Sequence, residues 1–212
     1  MSIATILQSL QTATSNPDRL VESESTQLGS IEMAQDWQDR VQVKPSPIQG
    51  LGVFARRTFS TGEPILVREE RPVTHDRPLN PARGELEYHC DWLEGGRQVY
   101  LGFPERHVNH SCDANAFVRF VDGVATIVAL RPIRPNEEIT NNSVVNMWGG
   151  EPWRCNCGSE RCLHEIPGRF FELPLDRQIE LSPLLAPWFI KEHPEEYDRF
   201  LKLAGLEGVV QE

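Results

Sequence analysis

The sequence predicts a mainly β fold with short helices, of the α+β class, and three observations carry that expectation. Short runs rich in β-branched and aromatic residues fill the stretch from Val41 to Leu130, separated by turn chemistry and not by long helical periods. Two of these runs, NAFVRFV and VATIVAL, flank Asp122-Gly123, a dipeptide that accepts positive φ at both central positions and so predicts a two-residue hairpin. Beyond the cysteine-rich segment at 155–162 the apolar residues recur at helical intervals, which predicts a helical C-terminal tail.

Taken along the chain, Ile3, Ile6, Leu7 and Leu10 have helical spacing and predict a short amphipathic helix. The polar run from Thr12 to Ser30, interrupted by Asn16-Pro17, reads as an arm or linker. From Val41 the strand-like runs VQVKPS, GVFARR and PILVREE follow, with Ser60-Thr61-Gly62-Glu63 turning between the last two. Between Asn80 and Trp92 the periodicity is mixed, and a short helix and an irregular insertion both remain open. In the tail, Pro174 to Leu185 and Pro194 to Leu203 are the helical stretches. Pro194 suits a first turn, where its missing N–H costs nothing, and Gly205 suits a stop. The expected organisation is an arm over 1–36, a body over 37–150, a cysteine segment over 151–166 and the tail over 167–212, without internal repeats.

Twenty-one basic residues stand against 31 acidic ones, a formal net charge of −10 that argues against nucleic acid as a partner. No stretch approaches the roughly 20 apolar residues that span a bilayer, and the opening MSIATILQSLQ lacks the positive flank of a secretory signal. No membrane association and a cytoplasmic location are therefore expected. The sequence does not specify an oligomeric state. An odd count of five cysteines, three of them within 155–162, favours metal ligation over a secreted disulfide framework.

Cys155-Asn156-Cys157 followed by Cys162 places three soft thiolates in one loop, with Gly158-Ser159 providing the turn. A tetrahedral zinc needs such a local set. A closed structural site needs a fourth ligand, and the residues alone leave Cys112, Cys90 and His164 open. With every corner filled there is no position for an activated water, so the zinc is read as structural.

Asn109-His110-Ser111-Cys112-Asp113-Ala114-Asn115 closely resembles the NHSCxPN signature of SET-domain methyltransferases, with Ala114 where proline is usual. YLGFPERHV at 100–108 is similar to the approach to that signature. Ala129-Leu130-Arg131-Pro132-Ile133 and Asn136-Glu137-Glu138-Ile139-Thr140 resemble the family's A-x-R-x-I and G-E-E-L-T segments. Upstream, Gly50-Leu51-Gly52-Val53-Phe54-Ala55 is similar to the opening G-x-G strand, and CNCGSERC to the post-SET zinc motif. The order and spacing of these motifs cover residues 41 to 166 and carry the identification. The resemblance implies a SET-type fold of small sheets with a knot-like C-terminal crossing. It also implies S-adenosylmethionine as cofactor and Cys112 as the ligand that completes the zinc site with Cys155, Cys157 and Cys162. Residue by residue, it assigns Gly50, Leu51 and Gly52 to close backbone approach to the cofactor, and Arg106, Asn109 and His110 to polar contacts with it.

One departure falls at the reaction centre. Where the family has an aromatic residue, Asp and the key Tyr after its E-L-T segment, this chain has Asn141, Asn142 and Ser143. Ser143 keeps a hydroxyl but loses reach and the aromatic wall. Tyr100 is the tyrosine on the segment leading into the cofactor site, so Tyr100 and Ser143 are the candidate catalytic residues. Three readings follow: a methyltransferase acting on a protein amine, lysine or terminus; a small-molecule enzyme with a remodelled acceptor pocket; and a non-catalytic cofactor- or peptide-binding module. The partner is accordingly a protein or a small-molecule acceptor. The resemblance puts the first ahead, while the polar Asn141 and Asn142 suit the second.

Overall fold

A computed structural model describes residues 36–121 and 124–207. The strands in chain order are β1 (Val41–Pro45), β2 (Leu51–Ala55), β3 (Pro64–Val67), β4 (Glu70–Pro72), β5 (Cys90–Leu93), β6 (Arg97–Leu101), β7 (Asn109–His110), β8 (Ala116–Val121), β9 (Val124–Ala129), β10 (Glu138–Asn141), β11 (Trp153–Arg154) and β12 (Glu165–Ile166). Three helices follow: α1 (Leu175–Leu181), α2 (Pro187–Glu192) and α3 (Pro194–Ala204). The strands form small sheets in the orders β1-β2-β10-β7, β3-β9-β8, β4-β6-β5 and β11-β12.

The first sheet brings the sequence-distant motifs together. β1 and β2 pair antiparallel with Val43 opposite Val53, around a turn closed by the Ser46 N–H to Gly50 O at 3.0 Å. Gly50 takes φ +49° there, a conformation that costs a side-chain-bearing residue energy. β2 lies between β1 and β10, and its last four residues are all buried, as expected for a strand covered on both faces. β10 runs antiparallel to β2 and parallel to β7, so that Thr140 faces Asn109 and Asn141 faces His110. A parallel neighbour needs a long crossover, and here the chain between β7 and β10 makes the β8–β9 hairpin.

The strand runs read from the sequence are present. PILVREE divides into β3 and β4, and Gly62 takes φ +80° in the turn before β3. β8 and β9 pair from Ala116 opposite Ala129 to Val121 opposite Val124, while Asp122 and Gly123 lie outside the described residues. The stretch left open holds two single 3₁₀ turns, Pro81–Arg83 and Glu87–His89, followed by β5. The amphipathic pattern at Ile3 to Leu10 also lies outside the described residues.

Two cores result. Val53, Ala55, Phe59, Ile65, Ile127, Ile133 and Ile139 form the first, between the first two sheets. The second joins Cys112, Val144, Cys155 and Ile166 to Phe170, Leu173, Leu181, Leu185 and Phe189. The tail therefore packs on the cysteine segment and shares its apolar interior. Helix α1 ends before Pro183, which has no N–H to continue it, and a 3₁₀ turn, Ser182–Leu184, follows. α3 begins at Pro194 and stops at Gly205, φ +65°, as its sequence predicts, whereas α2 carries no signal that the sequence reading used. The strand that precedes the cysteines and the one that follows them pair with each other, Trp153 opposite Ile166. Just outside them the backbones of Gly149 and Gly168 meet, the Gly149 N–H donating to Gly168 O at 2.8 Å. A Cβ on Gly168 would lie 2.0 Å from Gly150 O, so only glycine fits that crossing.

Candidate cofactor and metal site

Asn109 is the hub where the motifs meet. Its Nδ2 group lies 3.2 Å from Gln49 O, 3.0 Å from Leu51 O and 2.8 Å from Glu138 Oε1. The Glu138 carboxylate also accepts the Ser46 hydroxyl at 2.8 and 2.9 Å. The β1–β2 turn, β7 and β10 are thus tied through one amide and one carboxylate. Gly52 has a steric task in this arrangement, because a Cβ there would lie 2.3 Å from Glu138 Oε1 and 2.9 Å from Ser46 Cβ. Gly50, by contrast, has nothing within 4 Å of a would-be Cβ, and Leu51 is 43% exposed. The open backbone at Gly50 and Leu51 fits a ligand laid against it, while Gly52 faces the protein's own carboxylate.

Asn115 secures the other side of β10. Its Oδ1 accepts the Thr140 N–H at 2.9 Å, and its Nδ2 donates to Glu138 O at 2.7 Å. One buried side-chain amide thereby takes the place of a neighbouring strand. His110 continues the parallel pairing: its Nδ1 accepts the Ser143 N–H at 3.1 Å, and the Ser111 N–H donates to Asn141 O at 2.8 Å. Burial pushes the His110 pKa down to about 4, so the ring is neutral. Trp153 meets that ring edge-on at 5.8 Å and packs against the second core.

The ligand atoms of Cys112, Cys155, Cys157 and Cys162 all lie within 4.8 Å of one another, with Cys112 Sγ to Cys155 Sγ at 3.8 Å. Four thiolates about 2.3 Å from a tetrahedral zinc are spaced on that scale. The N–H groups of Cys157, Leu163 and His164 point at Cys155, Cys112 and Cys162 sulfurs, each at 3.4 Å, as donors that stabilise metal-bound thiolates do. Of the ligands left open by spacing, Cys112 joins the cluster. Cys90 sits opposite Tyr100 in the third sheet, and the exposed His164 contributes backbone only. Arg177 of α1, almost wholly buried, donates to Cys112 O and to Glu180 Oε2, so the tail also grips the fourth cysteine.

The model of the SET domain family matches residues 50–142. Residues 50–142 carry a SET domain. A histone-lysine N-methyltransferase of Chaetomium globosum, H3 lysine-36 specific, is 38% identical over 83 residues, which are 37% of this chain and 9% of that protein. Human histone-lysine N-methyltransferase 2B is 29% identical over 139 residues, 58% of this chain and 5% of that protein. The crystal structure of KRYPTONITE in complex with mCHG DNA and SAH is similar with a TM-score of 0.44 and 16% identity, over 59% of this chain and 28% of that one. The chain spans between 2% and 14% of the length of the curated relatives it matches.

Gly50, Leu51, Gly52, Asn109, His110 and Cys112 of this SET domain, with Ser143 just beyond its matched end, come together as one bonded unit. Arg106 and Tyr100 occupy an adjoining cluster. The Arg106 guanidinium lies over the rings of Tyr100 and Phe103, 5.9 and 5.4 Å from their centroids, and Tyr100 is buried in β6. Ser143 is exposed, and its hydroxyl donates to Asn141 Oδ1 at 3.1 Å. Asn142 forms the turn after β10, its Oδ1 accepting the Val144 N–H at 3.2 Å. Sequence reasoning placed Glu138 and Asn115 inside motifs without giving them tasks. Arg177 had no signal, because an arginine in an amphipathic tail looks like a solvated one.

Below the cluster of Tyr100, the buried Arg68 guanidinium meets three carboxylates: Asp91 at 2.9 Å, Glu70 at 3.2 Å and Glu105 at 3.6 Å. Arg68 and Glu105 are buried while Asp91 and Glu70 reach solvent, so the one cation is shared among three anions of which only Glu105 is cut off from water. Burial pushes the carboxyl of Glu105 up to about 8, with Asp91 and Glu70 adding to the rise against the pull of Arg68.

Proposed function

We propose that this chain is an S-adenosylmethionine-dependent methyltransferase whose acceptor is a protein amine, a lysine or a chain terminus. The supporting observation is that the Gly50–Gly52 turn and the four-cysteine site are both anchored on the segment from Asn109 to Asn115. The sulfonium cofactor supplies an electrophilic methyl group, so the protein's work is positioning an unprotonated amine in line with it and excluding water. Gly50 and Leu51, with the Asn109–His110 backbone, would hold the cofactor. The Asn109 side-chain amide keeps the turn in place, since its donors are engaged by protein oxygens. Cys112, Cys155, Cys157 and Cys162 would hold a structural zinc.

A second reading draws on the Ser143 hydroxyl and its bond to Asn141. This short polar shelf suits a small polar acceptor better than the apolar stem of a lysine. The expectation against nucleic acid rests on net charge alone.

Calorimetric titration of zinc-replete protein with S-adenosylmethionine is the first test, and lack of binding would sink both enzymatic readings. Incubation with methyl-labelled cofactor and either peptide arrays or a metabolite extract then separates them by the fraction that takes label. Ser143→Tyr is the sharper probe. Gain of lysine methylation supports a lysine channel, and loss of a native activity shows that the serine leaves needed room.

A further inference from the structure

The His110 ring touches both the Asn141–Ser143 segment and the cysteine cluster, and its two nitrogens have different partners. A backbone N–H can only donate, so Nδ1, 3.1 Å from Ser143 N, must carry the lone pair. In a neutral imidazole the proton then resides on Nε2. That nitrogen is 3.5 Å from Cys112 Sγ, within reach of an N–H···S hydrogen bond. The Trp153 ring stands beside the imidazole, roughly perpendicular, at 5.8 Å between centroids. Cys112 Sγ also receives the Leu163 N–H at 3.4 Å, so the sulfur takes one donor from the SET domain's own signature and one from the loop beyond it.

We propose that His110 is a positioning residue that couples the metal to the reaction centre: Nε2–H donates to the metal-bound sulfur of Cys112 while Nδ1 fixes the backbone of Ser143. The proposal rests on the four-thiolate reading of the cysteine cluster and extends it. Metal binding turns Cys112 into a thiolate, a stronger acceptor than a thiol, which locks the tautomer that holds Ser143. Loss of the metal weakens that lock, so the loop from Asn141 to Ser143 senses metal occupancy through a single ring. The coupling requires no change in the charge of the imidazole.

The test is NMR on the intact chain loaded with zinc, or with spin-active cadmium, and carrying isotopically labelled histidine. The expected result is His110 protonated at Nε2, with that proton scalar-coupled to cadmium through the Cys112 sulfur. A metal-loaded protein with the proton on Nδ1, or with no such coupling, overturns the proposal and leaves the zinc reading intact. Failure to bind metal at all overturns both. Two substitutions divide the bridge. His110→Asn retains an acceptor near the Nδ1 position but is too short to reach the sulfur. It should release metal to a chelator about tenfold faster while the Ser143 amide stays protected from exchange. His110→Gln places a donor near the Nε2 position and should do the reverse. Equal effects of the two variants on both readouts would mean that the ring only fills space. If neither variant folds, the tautomer and the coupling in the unsubstituted chain decide the matter.

Discussion

Gly52→Ala tests whether the Asn109–Glu138 hub holds the β1–β2 turn. The new methyl would lie 2.3 Å from Glu138 Oε1, well inside van der Waals contact, so the carboxylate must leave its place. Leaving breaks its bonds from Asn109 Nδ2 at 2.8 Å and from Ser46 Oγ at 2.8 and 2.9 Å. Hydrogen bonds to a charged group contribute about 1.5–3 kcal/mol each, and water recovers part of that for a half-buried carboxylate. The contact with Ser46 Cβ at 2.9 Å adds a smaller strain. The expected cost is about 2–4 kcal/mol, read as a lowered urea midpoint with an unchanged slope. A double-mutant cycle isolates the cause. In a Glu138→Ala background the carboxylate is gone, and Gly52→Ala should then cost only about 1 kcal/mol or less. Additive costs in the cycle, or a Gly52→Ala protein within about 0.5 kcal/mol of the parent, would refute the reasoning.

Gly168→Ala should be more damaging than Gly52→Ala, about 3 kcal/mol or more by urea unfolding, because the obstacle 2.0 Å away is the Gly150 carbonyl and a backbone cannot swing aside. The protein should bind about one equivalent of zinc by elemental analysis, lose it on Cys157→Ser, and show a lower Tm with chelator. Arg177→Ala should speed zinc loss to a chelator several-fold, since it strips Cys112 O of a buried, charge-assisted donor. For Glu105 the folded pKa of about 8 exceeds its ordinary value of 4.5, so folding takes up a proton between those values. Its contribution is complete below about pH 4.5 and is lost as pH rises through 8. Glu105→Gln should flatten the fall in urea midpoint across that window, and an unchanged profile would mean that Arg68 keeps the carboxylate ionised.

Much of the fold was legible because its signals are local. β8 and β9 follow from the β-branched alternation of FVRFV and VATIVA, and α3 from Pro194, an apolar stripe and Gly205. β5 and β6 were missed, since Cys90–Leu93 and Arg97–Leu101 mix polar and apolar residues without a clean period and acquire their order by pairing with each other. β7, β11 and β12 are two-residue strands, too short for any period to register. In the sequence the tail stands as a separate segment because a sequence shows a helix's apolar face but not what covers it, and here the cysteine site covers it.

The candidate site divides in the same way. By itself the sequence determined the residue types and their order: three clustered cysteines, the Asn109–Asn115 signature, the glycines at 50 and 52, and Ser143 where a tyrosine was expected. Those are covalent facts, and motif spacing preserves them. Spacing left Cys112, Cys90 and His164 open and the resemblance named Cys112, which the structure brings to the other three. Only the tertiary structure decided that Gly52 makes room for Glu138 while Gly50 stays open, and that Tyr100 lies under Arg106 in a neighbouring cluster. Such choices depend on which distant segments become neighbours in the sheet. That is fixed by the parallel pairing of β7 with β10 and by the burial of the tail, neither of which leaves a periodic trace in the chain.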